Sequence, residues 1–227
     1  MLPTQFVVLP GLEGSGAAQE PLARQLEAFG PVYRFGYPHD TVRNYEQLLA
    51  ELPWPTSPFV IVASSYGGPL ALRAALTFGP KRVTSLVLIG SFASSPVPAG
   101  RLLAALAPLV SRGAPPRAAV RHMVGRHASD AFVDIAHQAV ARVHTPVRVA
   151  RLQEVLRSDL RSELPKLEQK TLYLRGKNDI LVGGRGAKTL RALPNLTTRN
   201  IATGHFMSLS EPDACAREIA LFLGLVR

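Results

Sequence analysis

Apolar residues along this chain follow two rhythms, and their alternation predicts most of the fold. Phe6-Val7-Val8-Leu9 is a short unbroken apolar run stopped by Pro10-Gly11, the signature of a buried strand. From Ala17 to Phe29 the apolar positions Ala18, Leu22, Leu26 and Phe29 recur every three or four residues, which predicts an amphipathic helix. Val32–Phe35 reads as a second strand and Asn44–Leu52 as a helix with Asn44 as its N-cap. Phe59-Val60-Ile61-Val62-Ala63 is apolar throughout, as a central parallel strand is. The helix after it, Pro69 to Phe78, opens on proline and stops at Gly79-Pro80. Ser85–Ile89 is the next strand.

Between about Ser94 and Pro165 the alternation breaks. Only helices are predicted there: Leu102–Val110, Arg117–Val124, Asp130–Val143 and Val147–Ser158, the last introduced by Thr145-Pro146 as cap and first helical residue. Strand and helix then resume with Thr171–Arg175, a helix near Gly186–Leu193, strand Thr198–Ala202 and a closing helix Pro212–Leu223. Continuous apolar strands separated by helices predict an α/β fold, a parallel sheet covered on both faces. Ligands of such sheets sit at the carboxyl ends of the strands. The loops 10–16, 64–68, 90–95, 176–183 and 203–206 are therefore expected to converge, with the helical segment 94–165 above them as a lid on a single domain.

Composition narrows the class. A chain of 227 residues, 47% hydrophobic and 19% charged, suits one globular domain. No apolar run reaches the roughly 18 residues of a membrane span, and the first residues lack a basic, then apolar, leader. The lone Cys215 cannot form an internal disulfide, so a cytoplasmic location is expected. Cys215 stands at helical spacing from Ile219 and reads as core. The net charge of +10 comes mostly from arginine, but no block of like charges or aromatic-basic interleaving points to nucleic acid. No metal or cofactor is implied.

The chemistry concentrates at Val62-Ala63-Ser64-Ser65-Tyr66-Gly67-Gly68, a strand-to-helix junction. A nucleophile on so sharp a turn needs small residues two before and two after it. Ser65 has Ala63 and Gly67, whereas Ser64 would have Val62 and Tyr66. Serine needs a base. Of six histidines, His205 alone follows a strand and precedes the final helix; His122, His127, His137 and His144 fall on the expected lid, and His39 is a weaker pocket candidate. Asp179, after the strand ending at Arg175, is the carboxylate that could orient His205. The order Ser65, Asp179, His205 is that of a nucleophile-elbow hydrolase. Backbone N–H groups of Leu12, in the loop Pro10–Gly16, and of Tyr66 are the expected oxyanion donors, each worth about 3–4 kcal/mol in a transition state. A phosphate-binding reading of that loop fails for want of a Gly-Lys-Ser/Thr ending. Ser91, Phe92, Phe206 and Met207 lie near the strand ends as candidate substrate contacts.

On these residues the chain resembles the α/β-hydrolase superfamily over nearly its whole length, and is most similar to small bacterial esterases with a Leu-Pro-Gly-x-x-Gly opening and a four-helix lid. Three departures stand out. Pro10 replaces the usual histidine before glycine, Ala63 replaces the elbow's first glycine, and no β-hairpin precedes Phe6, which implies a sheet of about six strands. The resemblance implies hydrolysis of a small acyl ester through an acyl-enzyme, with thioester or C–C bond hydrolysis as a second possibility and a non-catalytic receptor as a third. The 101–161 segment carries ten arginines against four acidic residues. Pimeloyl-[acyl-carrier protein] methyl ester esterases are similar in size and lid type, and bind their acidic carrier through lid arginines. An acyl-carrier protein is thus a further candidate partner, through a face formed by Arg117, Arg121, Arg142, Arg148, Arg151, Arg157 and Arg161.

Overall fold

The computed structural model describes residues 4–110, 113–125 and 128–226. Six parallel strands form one sheet: β1 (Phe6–Leu9), β2 (Val32–Arg34), β3 (Phe59–Ser64), β4 (Val83–Ile89), β5 (Lys170–Gly176) and β6 (Leu196–Ile201), in the order β2-β1-β3-β4-β5-β6. The interior strands β1 and β3 are buried at every residue, as their unbroken apolar runs require, while the edge strands β2 and β6 are short or half-exposed.

Side chains alternate across the sheet and build a core on each face. Phe6, Val8, Val60, Val62, Ile89 and Leu174 pack against α1 (Glu20–Leu26) and the last helix, Pro212–Leu223. Val7, Leu9, Ile61, Ala63, Leu86 and Leu88 point the other way, onto α2 (Tyr45–Glu51) and α3 (Gly67–Phe78). Helix α2 starts where Asn44 accepts the Gln47 N–H and the Gln47 side chain accepts the Asn44 N–H, a reciprocal cap worth about 1 kcal/mol.

Between β4 and β5 the chain is helical: α4 (Gly100–Leu103), a 3₁₀ turn at Ala104–Leu106, α5 (Ala107–Val110), α6 (Arg117–Val124), α7 (Asp130–Ala141) and α8 (Thr145–Arg157). One continuous helix was expected over Leu102–Val110. Pro108 breaks it, because its ring cannot follow a helical turn, and the helix restarts with Pro108 in its first turn. In α8, His144 rather than Thr145 is the capping residue, and Thr145 Oγ1 instead accepts from Arg148. After β5 come α9 (Gly183–Thr189), α10 (Met207–Ser210) and α11 (Pro212–Leu223); the short α10 gave no periodicity to read. No helix among the described residues is long and apolar enough to cross a membrane.

The strand order reverses at β1. The chain leaves β1 for β2 on one side and returns to place β3 on the other, so the loops after β1 and β3 diverge and leave a crevice at their carboxyl ends. Both the 10–16 loop and the Ser65 turn open into that crevice.

Candidate active site

The turn after β3 places Ser65 at φ 47°, a left-handed conformation that a side chain with a Cβ rarely adopts. It is held from two sides: the Ser65 N–H donates to the Ile89 carbonyl at 2.9 Å, and the Ser65 carbonyl accepts from the Gly68 N–H at 3.0 Å and from Ser91 Oγ at 2.8 Å. Two residues on, a Cβ at Gly67 would stand 2.7 Å from the Pro10 carbonyl oxygen and 3.1 Å from Leu9 Cβ. The small residue there is thus required by the close approach of the β3 turn to the loop after β1. Gly67→Ala is expected to cost about 1–3 kcal/mol of stability, as overpacking does, and to lower any turnover that depends on Ser65 by prising these two segments apart. Thermal unfolding and initial rates test it, and an unchanged melting temperature would contradict the packing argument.

The structure brings Ser65, His205 and Asp179 together. His205 Nε2 lies 2.9 Å from Ser65 Oγ, and His205 Nδ1 lies 2.8 Å from Asp179 Oδ2. The other carboxylate oxygen, Oδ1, accepts the N–H groups of Leu181 at 2.9 Å and Val182 at 3.0 Å. Burial pushes the Asp179 carboxyl up, but the hydrogen bond and charge of His205, with those two N–H groups, outweigh it and hold the group below the usual aspartate range. Asp179 is therefore ionised and accepts only, so Nδ1 of His205 carries the proton and Nε2 is left to accept from the Ser65 hydroxyl. The neighbouring Ser64 has no such partner: its hydroxyl meets Ser208 Oγ at 3.3 Å.

Leu12 and Tyr66 line the same cavity as Ser65 and His205. Among the described residues, neither the Leu12 nor the Tyr66 backbone N–H has a hydrogen-bond partner, so both remain open to an incoming oxygen. The cavity, about 370 Å³, continues under the helical segment, with Val97, Leu152, Val155 and Leu156 among its apolar walls. Phe92 and Phe206 also line it. Ser91 and Met207, expected there, do not. Ser91 is buried beneath the elbow, where its hydroxyl braces the Ser65 carbonyl, and Met207 begins α10 and drops into the core beside Val62 and Ile89. His39 is exposed, and its ring stands edge-on to His144, 5.7 Å away. His122 and His137 lie away from the cavity, and His127 falls outside the described residues. Among the described residues no group of three or more His, Cys, Asp or Glu side chains is placed to hold a metal ion.

The seven arginines expected to share one face are divided. Helical spacing turns Arg148 and Arg151 inward, where both are buried. Arg117 pairs with Asp130 and Asp134, Arg121 with Asp130, and Arg161 with Asp159. Of the seven, Arg142 and Arg157 are left exposed without an ion pair among the described residues. Arg151 was missed as a site residue, although Val147, Arg151 and Val155 follow one another at four-residue spacing and mark it as inward-facing.

A serine on a strained strand–turn–helix at the switch point of a parallel sheet, bonded to a histidine and through it to an aspartate, defines a class of hydrolase folds. Residues 6–218 match the alpha/beta hydrolase family, and the chain belongs to it. Its fold is similar to that of a thermophilic esterase from Thermogutta terrifontis (18% identity, TM-score 0.80, 98% of this chain and 90% of that one). It is also similar to an esterase from Exiguobacterium antarcticum (16%, TM-score 0.80, 97% of this chain and 92% of that one) and to the enol-lactonase from Burkholderia xenovorans (16%, TM-score 0.74, 99% of this chain and 92% of that one).

Proposed function

We propose that this protein is a serine hydrolase that cleaves carboxylic esters through an acyl-enzyme. The observation that carries the reading is the continuous Ser65–His205–Asp179 chain of hydrogen bonds, 2.9 and 2.8 Å, opening into an apolar cavity. Ser65 Oγ attacks the ester carbonyl carbon while His205 Nε2 takes its proton; the carbonyl oxygen becomes an oxyanion received by the Leu12 and Tyr66 N–H groups. His205 then returns the proton to the leaving alkoxide, which departs as an alcohol. Water attacks the acyl-Ser65 by the same route, giving the carboxylic acid and free serine. Asp179 stays ionised throughout and stabilises the imidazolium. The cavity walls suit an apolar acyl or alkyl chain. Structural similarity to proteins named as esterases and an enol-lactonase supports an ester-type substrate.

Labelling with a fluorophosphonate probe, followed by a panel of esters of increasing acyl length, tests the proposal. Stoichiometric modification of Ser65 and hydrolysis of apolar acyl esters are expected. A chain that binds such esters but neither labels nor turns them over is a receptor. Faster turnover of thioesters than of matched oxygen esters would move the assignment to a thioesterase. The paired arginines give no support to an acidic carrier, so equal rates are expected for free and carrier-linked methyl esters at low and high salt.

A further inference from the structure

Arg151 sits on the helical segment, yet it holds the loop opposite. It is 2% exposed, and its guanidinium reaches out of α8 to donate from Nη1 to the Leu12 carbonyl at 2.7 Å and from Nη2 to the Pro38 carbonyl at 2.6 Å. It lies 5.5 Å from the Tyr37 ring centroid and 6.0 Å from that of Tyr66. Gly14 makes room for it: a Cβ there would stand 2.5 Å from Nη1, and the backbone turns through φ +72°.

These contacts bear on one peptide group. The Gly11 carbonyl accepts from the Gly14 N–H at 3.1 Å, so the trans peptide aims the Leu12 N–H the other way. The next carbonyl, that of Leu12, is the one Arg151 grips. With the planes on both sides of the Leu12 Cα fixed, the direction of its N–H is fixed too. At the far end of the loop, the buried Glu13 carboxylate accepts from the Ser15 hydroxyl and the Ser15 and Gly16 N–H groups. Nothing else among the described residues bonds the Leu12 carbonyl.

The geometry points to Arg151 as a positioning residue that aims the Leu12 N–H at the oxyanion, so that the helical segment must be seated for the oxyanion site to be complete. This rests on the ester-hydrolase reading above. It differs from a carrier-docking role, since the side chain faces the loop and not solvent. A single forked cation satisfies two carbonyls here, and lysine offers no fork.

The test is the kinetics of Arg151→Met and Arg151→Lys, with every rate divided by the number of sites a fluorophosphonate titrates at completion. For Arg151→Met, kcat per titrated site is expected to fall about 10–100-fold, part of the loss of a whole oxyanion donor, with KM changed less than about threefold. Affinity for a trifluoromethyl ketone, which forms a tetrahedral adduct, should fall in proportion. A purely structural arginine would reduce the number of titratable sites and the melting temperature while leaving kcat per site intact, and that result overturns the inference. Should the methionine variant not fold, the lysine variant decides, since it keeps the charge and one donor: wild-type kcat there overturns the proposal, and a loss of about 10-fold sustains it. Wild-type protein that takes up no fluorophosphonate removes the ester-hydrolase reading and this one with it. Full labelling of the wild type beside an unimpaired Arg151→Met variant removes this one alone.

Discussion

Ser65→Ala is expected to lower ester turnover by about 10⁵-fold or more, leaving only what the oxyanion donors and binding supply. Among the described residues the hydroxyl is the sole nucleophilic group bonded to His205, and Ser64, one residue away, points to Ser208. Its removal should leave the fold intact, because alanine keeps the Cβ and the backbone bonds to Ile89 and Gly68 are unaffected. A companion variant checks the strain. At φ 47° any residue with a Cβ is held against its preference, so Ser65→Gly should melt higher than Ser65→Ala, by the equivalent of about 1 kcal/mol. Turnover by Ser65→Ala within tenfold of wild type would end the nucleophile assignment. Equal melting of the two variants would end the strain argument only.

The second large effect is Asp179→Asn, for which a loss of about 10⁴-fold in kcat is expected. The reason is local. The Leu181 and Val182 N–H groups both point at Oδ1, so the asparagine must keep its oxygen there and turn its NH₂ towards His205. That NH₂ donates where the carboxylate accepted, and the imidazole answers by moving its proton to Nε2. A protonated Nε2 cannot take the Ser65 proton. The same substitution has a signature in stability. Because the folded Asp179 carboxyl titrates below the roughly 3.9 of an unfolded one, its charged state adds stability at pH above that value, lost as pH falls through the lowered folded one. The gap in melting temperature between wild type and Asp179→Asn should therefore narrow as pH drops below about 4. A gap that widens on acidification contradicts the assigned direction, and activity near wild type contradicts the role.

Much of this arrangement is legible in the sequence because interior strands and capped helices leave strong marks. The runs at Phe6 and Phe59 have no polar residue to dilute them, and β1 begins and ends where they do. Helix α6 opens after Pro116, and α11 runs from Pro212 to a glycine at 224, so both keep their expected limits. The three residues of the Ser65 chain were legible because each follows a parallel strand, and strand ends are where the sheet gathers its loops. What was illegible depends on where a side chain turns after the strand ends. Ser91 and Met207 occupy the right loops, but one dives under the elbow and the other into the core. The arginines mislead for a related reason. Their number along α6 to α8 is visible, but pairing of Arg117 and Arg121 with Asp130 and Asp134 on α7, and the carbonyls that Arg151 reaches near the loop after β1, depend on tertiary contacts that no local pattern encodes.

Cys215 has a practical consequence. It is the single thiol of the chain, wholly buried on α11, with its sulfur 3.7 Å from the Met207 carbonyl oxygen, and burial pushes its pKa up to about 12. Maleimide and iodoacetamide reagents, which need an accessible thiolate, will pass it by in the native state. The wild-type chain is therefore already a silent background for attaching fluorophores or spin labels. One cysteine introduced on the outer side of α8 and another beside the loop after β1 would report the separation of those two elements during turnover, with the native sulfur left in place.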